Sequence, residues 1–292
     1  MLLVTQTDIL APAFGDEECI RILKNAGFDG IDWSFFSMTG GNDIWCTDEW
    51  KTHALQLRSL ADDCGILIRQ AHAPFPSSRG EEPFDTVIRQ RILRAMQAAA
   101  LMGARHIVVH PMQHLPYLAN RARLFEWNVA FYRGLIPYCE EYGIRVLAEN
   151  MWQYDTKRAC ITDSVCSQPE EFCALLDAVD SPWIVGCLDI GHSALTGVEP
   201  ERFIRALGPQ RLQALHVHDV NYREDNHTLP YQRSLDWEAI TCALAQTGYT
   251  GDFTFEADNF LRPFPKELQP NGSVLMAQVG RYLIARIEAQ RP

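Results

Sequence analysis

One pattern recurs along the chain: a short run of apolar and β-branched residues is followed by a longer stretch with the amphipathic periodicity of a helix. Such runs lie at residues 2–6, 30–35, 66–72, 106–110, 144–150, 183–190, 212–219 and 252–258. Strands that alternate with helices pair in parallel, because each helix returns the chain to the same end of the sheet. Eight strand–helix units predict a closed barrel of the (β/α)8, or TIM, type.

The helical stretches have recognisable ends and leave no room for a linker. Helices are predicted at residues 16–27, 85–103 and 200–208, among others. Several helices close with a glycine just before the next strand: Gly27, Gly65, Gly103, Gly143 and Gly248. Glycine is favoured there because the residue after a helix often takes a left-handed conformation. Since no low-complexity segment interrupts the chain, residues 1–292 are expected to form a single domain.

Ionisable side chains close six consecutive strands of this pattern. They are His72, His110, Glu149, Asp189, His216 and Glu256. In a TIM barrel the carboxyl ends of all strands form one rim, and active sites lie at that rim. The six side chains are therefore expected to converge on one pocket.

The stretch VGCLDIGH, residues 185–192, indicates what that pocket holds. It carries Asp189 to the end of an apolar strand, where an unpaired buried charge would be costly. Converging carboxylates would also repel one another and raise their pKa values. A divalent cation removes both conflicts, and carboxylate oxygens with one imidazole suit Mn²⁺, Mg²⁺ or Zn²⁺. The predicted metal ligands are Glu149, Asp189, His216 and Glu256.

Each predicted ligand also has a simpler interpretation. Asp189 could cap the following helix, Glu149 could form a salt bridge at the strand end, and Glu256 could cap a loop. His216 taken alone could be a hydrogen-bonded core histidine. His218, which follows on the same strand, is expected to point the other way and to be structural. The metal hypothesis is preferred because the four side chains occupy the ends of different strands.

Composition disfavours several classes of protein. The net charge is −11 and no long cluster of lysine and arginine occurs, so general nucleic-acid binding is not expected. Nine cysteines without a C-x-x-C motif predict reduced thiols in a cytoplasmic protein. No apolar run approaches membrane-spanning length, and the first residues do not resemble a signal peptide.

Short motifs along nearly the whole chain resemble one family. In order they are GFDGIDW (27–33), AHAPF (71–75), VVHP (108–111), LAEN (147–150), LDIGH (188–192), HVHD (216–219), DNHTLP (225–230), LDW (235–237) and GYTGDFTFE (248–256). The chain resembles the xylose isomerase-like TIM-barrel superfamily, in its sugar phosphate isomerase/epimerase family. The resemblance implies one divalent metal, with Mn²⁺ expected and Mg²⁺, Co²⁺ or Zn²⁺ as alternatives.

The resemblance also implies a reaction and a set of roles. Glu149 and Glu256 would act as the acid and base that interconvert a small keto-sugar through an enediolate, by isomerisation or epimerisation. Loss of hydroxide instead would make the protein a sugar lyase or dehydratase. Substrate contacts are assigned to His72, His110, His192, Arg223, Asp225 and His227. Independently of the resemblance, aromatic side chains suit the faces of sugars, so Trp33, Phe75, Trp152 and Phe260 are candidates for pocket walls, with packing in the core or at the rim as the alternative.

A second relative on the same scaffold is endonuclease IV, a three-zinc DNA repair enzyme. Its ligands have counterparts here at His72, His110, Glu149, Asp189, His192, His216, Asp225, His227 and Glu256. The acidic net charge favours the sugar enzyme over this nuclease alternative.

One loop departs from the sugar enzymes. The segment HTLPYQRSLDW (227–237) carries Tyr231 to Ser234 where those enzymes have glycines. This loop is expected beside the pocket, where it reshapes the substrate site or contacts a partner. A homo-oligomer is expected, with an accessory subunit as a further hypothesis.

Overall fold

The computed structural model describes residues 1–38, 40–41 and 43–292, and it confirms the predicted (β/α)8 barrel. The barrel strands are β1 (Leu3–Gln6), β2 (Gly30–Ser34), β3 (Leu67–His72), β4 (His106–Val108), β5 (Arg145–Glu149), β8 (Ile184–Asp189), β9 (Leu212–His216) and β10 (Phe253–Phe255). Two further strands, β6 (Trp152–Asp155) and β7 (Cys160–Asp163), form a hairpin after β5.

Helices separate the barrel strands and cover their outer side. They are α1 (Leu10–Phe14), α2 (Asp16–Ala26), α3 (Trp50–Cys64), α4 (Phe84–Met102), α5 (Tyr117–Arg133), α6 (Ile136–Tyr142), α7 (Pro169–Val179), α8 (Ile190–Leu195), α9 (Pro200–Arg211), α10 (Trp237–Gln246) and α11 (Gln269–Ala289). Short 3₁₀ turns lie at Ile44–Cys46, Asp258–Phe260 and Lys266–Leu268. None of the helices in the described residues is long and apolar enough to cross a membrane.

The eight barrel strands pair in parallel in the order β10-β1-β2-β3-β4-β5-β8-β9. A parallel bridge between Val217 and Phe255 joins the two outer strands of this order. The amide N–H of Val217 donates to the carbonyl oxygen of Thr254 at 2.8 Å in the same contact. The sheet therefore returns on itself, and the carboxyl ends of its strands face a common mouth.

A small apolar layer fills part of the barrel interior. Val108, Leu147, Cys187 and Ala214 form a buried cluster separate from the main core between strands and helices. Successive side chains of a strand point to opposite sides, so residues two apart point to the same side. Residues two positions beyond this layer therefore face the interior at the mouth. They are His110, Glu149, Asp189 and His216.

The β6–β7 hairpin was not predicted from the sequence. It is inserted directly after Glu149, and Gln153 fastens it to the loop that follows β4. The amide of Gln153 donates to the carbonyl oxygens of Gln113 and Leu115 at 2.7 and 2.8 Å. The hairpin thereby becomes one wall of the barrel mouth.

Candidate metal centre

The barrel mouth contains a pocket of about 560 Å³ at the carboxyl ends of the strands. His72, Glu149, Asp189 and His216 are the last residues of β3, β5, β8 and β9. Glu256 directly follows β10, and His110 lies two residues beyond β4. The structure thus brings all six predicted strand-end residues to one rim.

Four of these side chains form a compact buried group. Glu149, Asp189, His216 and Glu256 each offer a ligand atom, and these atoms lie within 4.8 Å of one another. Nδ1 of His216 lies 2.7 Å from Oε1 of Glu149 and 2.6 Å from Oε2 of Glu256. One imidazole nitrogen therefore faces two carboxylates at once, while Asp189 completes the group.

The charges of this group are unbalanced without a cation. Burial raises the pKa of Glu149, but the nearby His216 and His110 outweigh burial and hold it well below its ordinary value. His216 likewise lowers the pKa of Glu256 against the effect of burial. Burial lowers the pKa of His216, but Cys187 and the two glutamates raise it further than burial lowers it. Within the group of four, three carboxylates face one imidazole, and a divalent ion is the charge that this donor set fits.

A single oxygen atom supports the same conclusion. Oε2 of Glu149 is buried and has no hydrogen-bond partner among the described residues. It lies 2.9 Å from Nε2 of His110, though not in hydrogen-bonding geometry. Buried carboxylate oxygens are normally bonded, so this orphan fits a metal ligand.

Two neighbours hold Asp189 through three hydrogen bonds. Its Oδ1 accepts the backbone N–H of His192 at 2.6 Å, so Asp189 does cap α8. The side chain of Asn150 bonds both the N–H and the carbonyl oxygen of Asp189, at 2.8 and 2.9 Å. Capping uses one oxygen and orients the carboxylate, so it is compatible with metal ligation.

The expectation for His218 is wrong. Nε2 of His218 lies 2.9 and 3.1 Å from the two carboxylate oxygens of Asp189, inside the barrel mouth. Residues two apart on an extended strand share a side, so His218 points the same way as His216. Its ring also stacks on His227, with the ring centres 4.0 Å apart.

Two further histidine groups flank the central one. They are His72, His110 and Glu149 on one side, and His192, His218, Asp225 and His227 on the other. Nδ1 of His72, His192 and His227 lies 2.8, 2.9 and 3.0 Å from a backbone carbonyl oxygen. Those bonds place the Nδ1 hydrogen and leave Nε2 facing the pocket, which is the arrangement of metal-binding histidines.

The two flanking groups differ in charge. Burial, reinforced by His110, lowers the pKa of His72 to about 3, so this imidazole is neutral. Burial also acts to lower the pKa of His227, but Asp225 raises it to about 10. In the absence of a metal, His227 beside Asp225 is therefore protonated. A bound cation could take the place of that proton.

The walls of the pocket combine aromatic and polar side chains. Phe36, Phe75, Trp152 and Tyr154 line it, and the indole N–H of Trp152 donates to Oδ2 of Asp225 at 3.1 Å. Sequence reasoning missed the remaining polar lining: Gln6, Asp8, Gln113, Gln153, Asp258, Asn259 and Arg262. Burial, together with Asp8 and Glu256, raises the pKa of Asp258 well above its ordinary value.

Three predicted contacts do not reach this pocket. Trp33 is buried on the outer side of β2 against Trp45, because its neighbour Asp32 takes the inward position. Arg223 is exposed in a turn fixed by Asn221, whose Oδ1 accepts the N–H of Arg223 at 3.0 Å. Phe260 packs on Phe264 beneath the rim.

The loop that carries Tyr231 to Ser234 in place of glycines also extends away from this pocket. Oxygens of Asp219 accept the backbone N–H groups of Arg233 and Leu235 at 2.9 and 3.1 Å and fold the loop outward. Tyr231 consequently packs near Tyr282 of α11 on the outer surface, with ring centres 6.3 Å apart. Residues 231–234 therefore do not line the pocket, although His227 at the start of the segment does.

A second layer of polar residues lies behind His216. Asp32 and Gln70 are buried on β2 and β3, and Nε2 of His216 lies 3.3 Å from Oδ2 of Asp32. The amide nitrogen of Gln70 donates to the same Asp32 oxygen at 2.8 Å. A carboxylate behind a ligating histidine fixes its tautomer and raises its basicity. The sequence signal was an acidic residue in mid-strand, in GFDGIDW.

Comparisons with known proteins agree with this architecture. A model of the xylose isomerase-like TIM barrel family matches residues 20–273. An uncharacterized protein of Sinorhizobium fredii is 25% identical over 268 residues, covering 83% of this chain and 81% of the relative. A crystal structure of a D-tagatose 3-epimerase-like protein superposes with a TM-score of 0.76 at 18% identity, covering 99% of both chains. A D-psicose 3-epimerase crystallised in the presence of D-fructose gives 0.74 at 16% identity, over 97% of this chain and 99% of the other.

Proposed function

This chain belongs to the xylose isomerase-like TIM barrel family, and on that premise we propose that it is a divalent-metal-dependent isomerase or epimerase of a small sugar. The observation that carries the proposal is the convergence of Glu149, Asp189, His216 and Glu256 within 4.8 Å of one another. Structures of similar fold include sugar epimerases, which supports the same class of reaction.

We assign the metal to these four side chains. Oε2 of Glu149 is buried without a hydrogen bond, and Nδ1 of His216 faces both glutamates, so the donor set fits one divalent ion. Mn²⁺ is the proposed ion, because carboxylate oxygens predominate over nitrogen among the donors. A divalent ion bound here would polarise the carbonyl and hydroxyl oxygens of a sugar as a Lewis acid.

The two glutamates are the proposed acid and base. Their lowered pKa values keep both carboxylates ionised at neutral pH, so either can accept a proton from the carbon next to a carbonyl. Return of a proton to the same carbon from the opposite face gives epimerisation, and return to the neighbouring carbon gives isomerisation. Departure of hydroxide instead would give dehydration.

The rest of the pocket suits an open-chain sugar. Its volume of about 560 Å³ lies within the range of small-molecule sites. Phe75 and Trp152 offer aromatic faces, while His72, His110, His192 and His227 present ring nitrogens for hydroxyl groups. Arg262 takes the place that the sequence had assigned to Arg223, because it lines the pocket.

Solvent deuterium exchange tests the reaction class. The metal-reconstituted protein is incubated in D₂O with a panel of ketoses, and NMR follows the proton on the carbon next to the carbonyl. The proposal expects deuterium incorporation and a new sugar in the wild type, with at least about a hundredfold loss in Glu256→Gln. Asp177→Asn, a matched change on the outer surface, should leave the rate unchanged. Absence of exchange with every ketose would reject the isomerase and epimerase assignment.

One observation favours a second candidate. The flanking groups around His72 and Asp225 could hold two more cations, as expected of a DNA repair nuclease of the endonuclease IV type. Cleavage of abasic duplex DNA, with a steep dependence on salt, would support that activity. The net charge of −11 favours the sugar substrate.

Two observations bear on location and assembly. Nine unpaired cysteines fit a reducing cytoplasm. The exposed pair of Tyr231 and Tyr282 offers a contact surface for a homo-oligomer or an accessory subunit. Sedimentation of the wild type and of Tyr231→Ser tests that surface.

A further inference from the structure

The opposite, amino-terminal end of the barrel holds a second cavity of about 470 Å³, which we call the basal cavity. Its lining includes Arg69, Arg105, Arg145, His106 and Asp252. None of the proposed metal ligands lines it, and Gln70, which lies behind His216, is shared with the polar layer of the metal centre. The basal cavity is therefore a separate feature of the molecule.

The three arginines are brought together by the sheet itself. The backbone N–H of Arg105 donates to the carbonyl oxygen of Arg69 at 3.0 Å, and that of Arg145 donates to Arg105 at 3.1 Å. Arg69 lies on β3, Arg105 directly precedes β4 and Arg145 begins β5. They thus occupy adjacent positions at one end of the sheet, where neighbouring strands lie roughly 4.8 Å apart. The three residues therefore form a row at one end of the sheet, and all three line the cavity.

This row has too few acidic partners. Arg69 donates to Oδ2 of Asp252 at 2.8 Å. The side chains of Arg105 and Arg145 have neither an ion pair nor a hydrogen bond within the described residues. Three arginines and one aspartate leave two positive charges in the cavity of a protein whose net charge is −11. Arg105 and Arg145 are exposed, so their charges are accessible to an anion at the cavity mouth.

The pKa of His106 reflects the positive charge of these arginines. Burial, reinforced by Arg145, Arg69 and Arg105, lowers its pKa to about 4. The imidazole is therefore neutral at physiological pH and can donate one hydrogen bond to an anion. Thr250 and Trp183 add a hydroxyl and an indole N–H to the lining.

We propose that the basal cavity is a second ligand site, for a small phosphoryl dianion, either free phosphate or the phosphate of a monoester. Two uncompensated guanidinium groups match the charge of a dianion, and their planar N–H pairs suit phosphate oxygens. The cavity is larger than phosphate itself and leaves space for an attached organic group. A concave cavity of this size favours a small molecule over a nucleic-acid backbone.

Isothermal titration calorimetry of the metal-free full-length protein tests this site at constant ionic strength. The probes are inorganic phosphate and glycerol 3-phosphate, with glycerol as the neutral control. The wild type should bind one equivalent of at least one phosphoryl probe, and Arg105→Gln/Arg145→Gln should bind it at least about tenfold more weakly. Arg202→Gln/Arg205→Gln on α9 changes the charge equally at an exposed surface and should bind as the wild type does.

The outcomes separate the sources of the ligand. Tighter binding of glycerol 3-phosphate than of phosphate assigns the site to a monoester, and equal or weaker binding assigns it to the free ion. Arg105→Lys/Arg145→Lys keeps the charge but loses paired N–H donation, so intermediate affinity is expected even if the glutamine variant misfolds. Absence of binding by both probes, or equal affinity in all variants, would overturn the proposal. Neither result bears on the metal pocket, since the proteins are metal-free.

Discussion

Replacement of Asp32 by asparagine probes how the barrel prepares its metal histidine. Nε2 of His216 lies 3.3 Å from Oδ2 of Asp32, while Nδ1 faces Glu149 and Glu256. A cation at Nδ1 requires the imidazole proton to lie on Nε2, and the Asp32 charge stabilises that tautomer. Asparagine has the same shape and can still accept a hydrogen bond from Nε2, but it lacks the charge.

The expected loss is one of metal affinity and not of folding. Removing a hydrogen-bonded partner behind a metal ligand typically weakens metal binding by about 10–100-fold. At about 1.4 kcal/mol for each factor of ten, this corresponds to roughly 1.4–2.8 kcal/mol. The metal-free variant should unfold at or above the wild-type temperature, because burial of Asp32 disfavours its charge and raises its pKa.

Competition with a chromophoric chelator measures the Mn²⁺ affinity, and calorimetry of the metal-free protein measures stability. Asp63→Asn, at an exposed position on α3, is the matched control and should change neither quantity. Metal affinity of Asp32→Asn within twofold of the wild type would refute the reasoning. A variant that loses stability as much as affinity would show that Asp32 is merely structural.

Three further predictions concern the surroundings of the two cavities. In Gly191→Ala the new Cβ would lie 2.1 Å from the ring of His218, so urea denaturation should show a loss of about 1–3 kcal/mol, and unchanged stability would contradict the close contact. Asn150→Ala removes both hydrogen bonds to the Asp189 backbone and should lower the free energy of unfolding by about 1–3 kcal/mol in the same assay. Its loss of metal affinity should be larger than that of Asn150→Gln. The pKa of His106 lies at about 4, below its ordinary value of 6.5, so the unfolded chain takes up its proton first as the pH falls. Stability should therefore decline from pH 6.5 toward 4, and thermal scans should show a smaller decline in His106→Gln.

The sequence predicted the barrel correctly, because strands that alternate with helices are compatible with few other folds. It also predicted which strand-end side chains share a rim, since residues at the ends of parallel strands meet by topology alone. Glu149 and Asp189 could thus be paired without knowledge of any distance. This rule was applied only to the carboxyl ends of the strands. It therefore missed the amino-terminal end of the barrel, where Arg69, Arg105 and Arg145 are single residues far apart in sequence.

Other features depended on side-chain direction and on local geometry. Trp33 and His218 were both misplaced by errors about which side of a strand a residue occupies. The β6–β7 hairpin was missed because its strands, with WQYD and CITD, are only four residues long and lie within a segment assigned to a connection. Arg223 and Arg262 lie in loops, whose paths are set by contacts such as those of Asp219 and Asn221 and not by periodicity.

Metal content tests the central claim most directly. The protein is purified without chelator, reconstituted with Mn²⁺, and analysed by elemental mass spectrometry together with Glu149→Gln and His227→Ala. The account predicts one divalent ion per chain in the wild type and in His227→Ala, and its loss in Glu149→Gln. Two or three ions per chain that decrease in His227→Ala would favour the nuclease candidate instead. No bound metal in the reconstituted wild type would contradict the claim that Glu149, Asp189, His216 and Glu256 form a metal site.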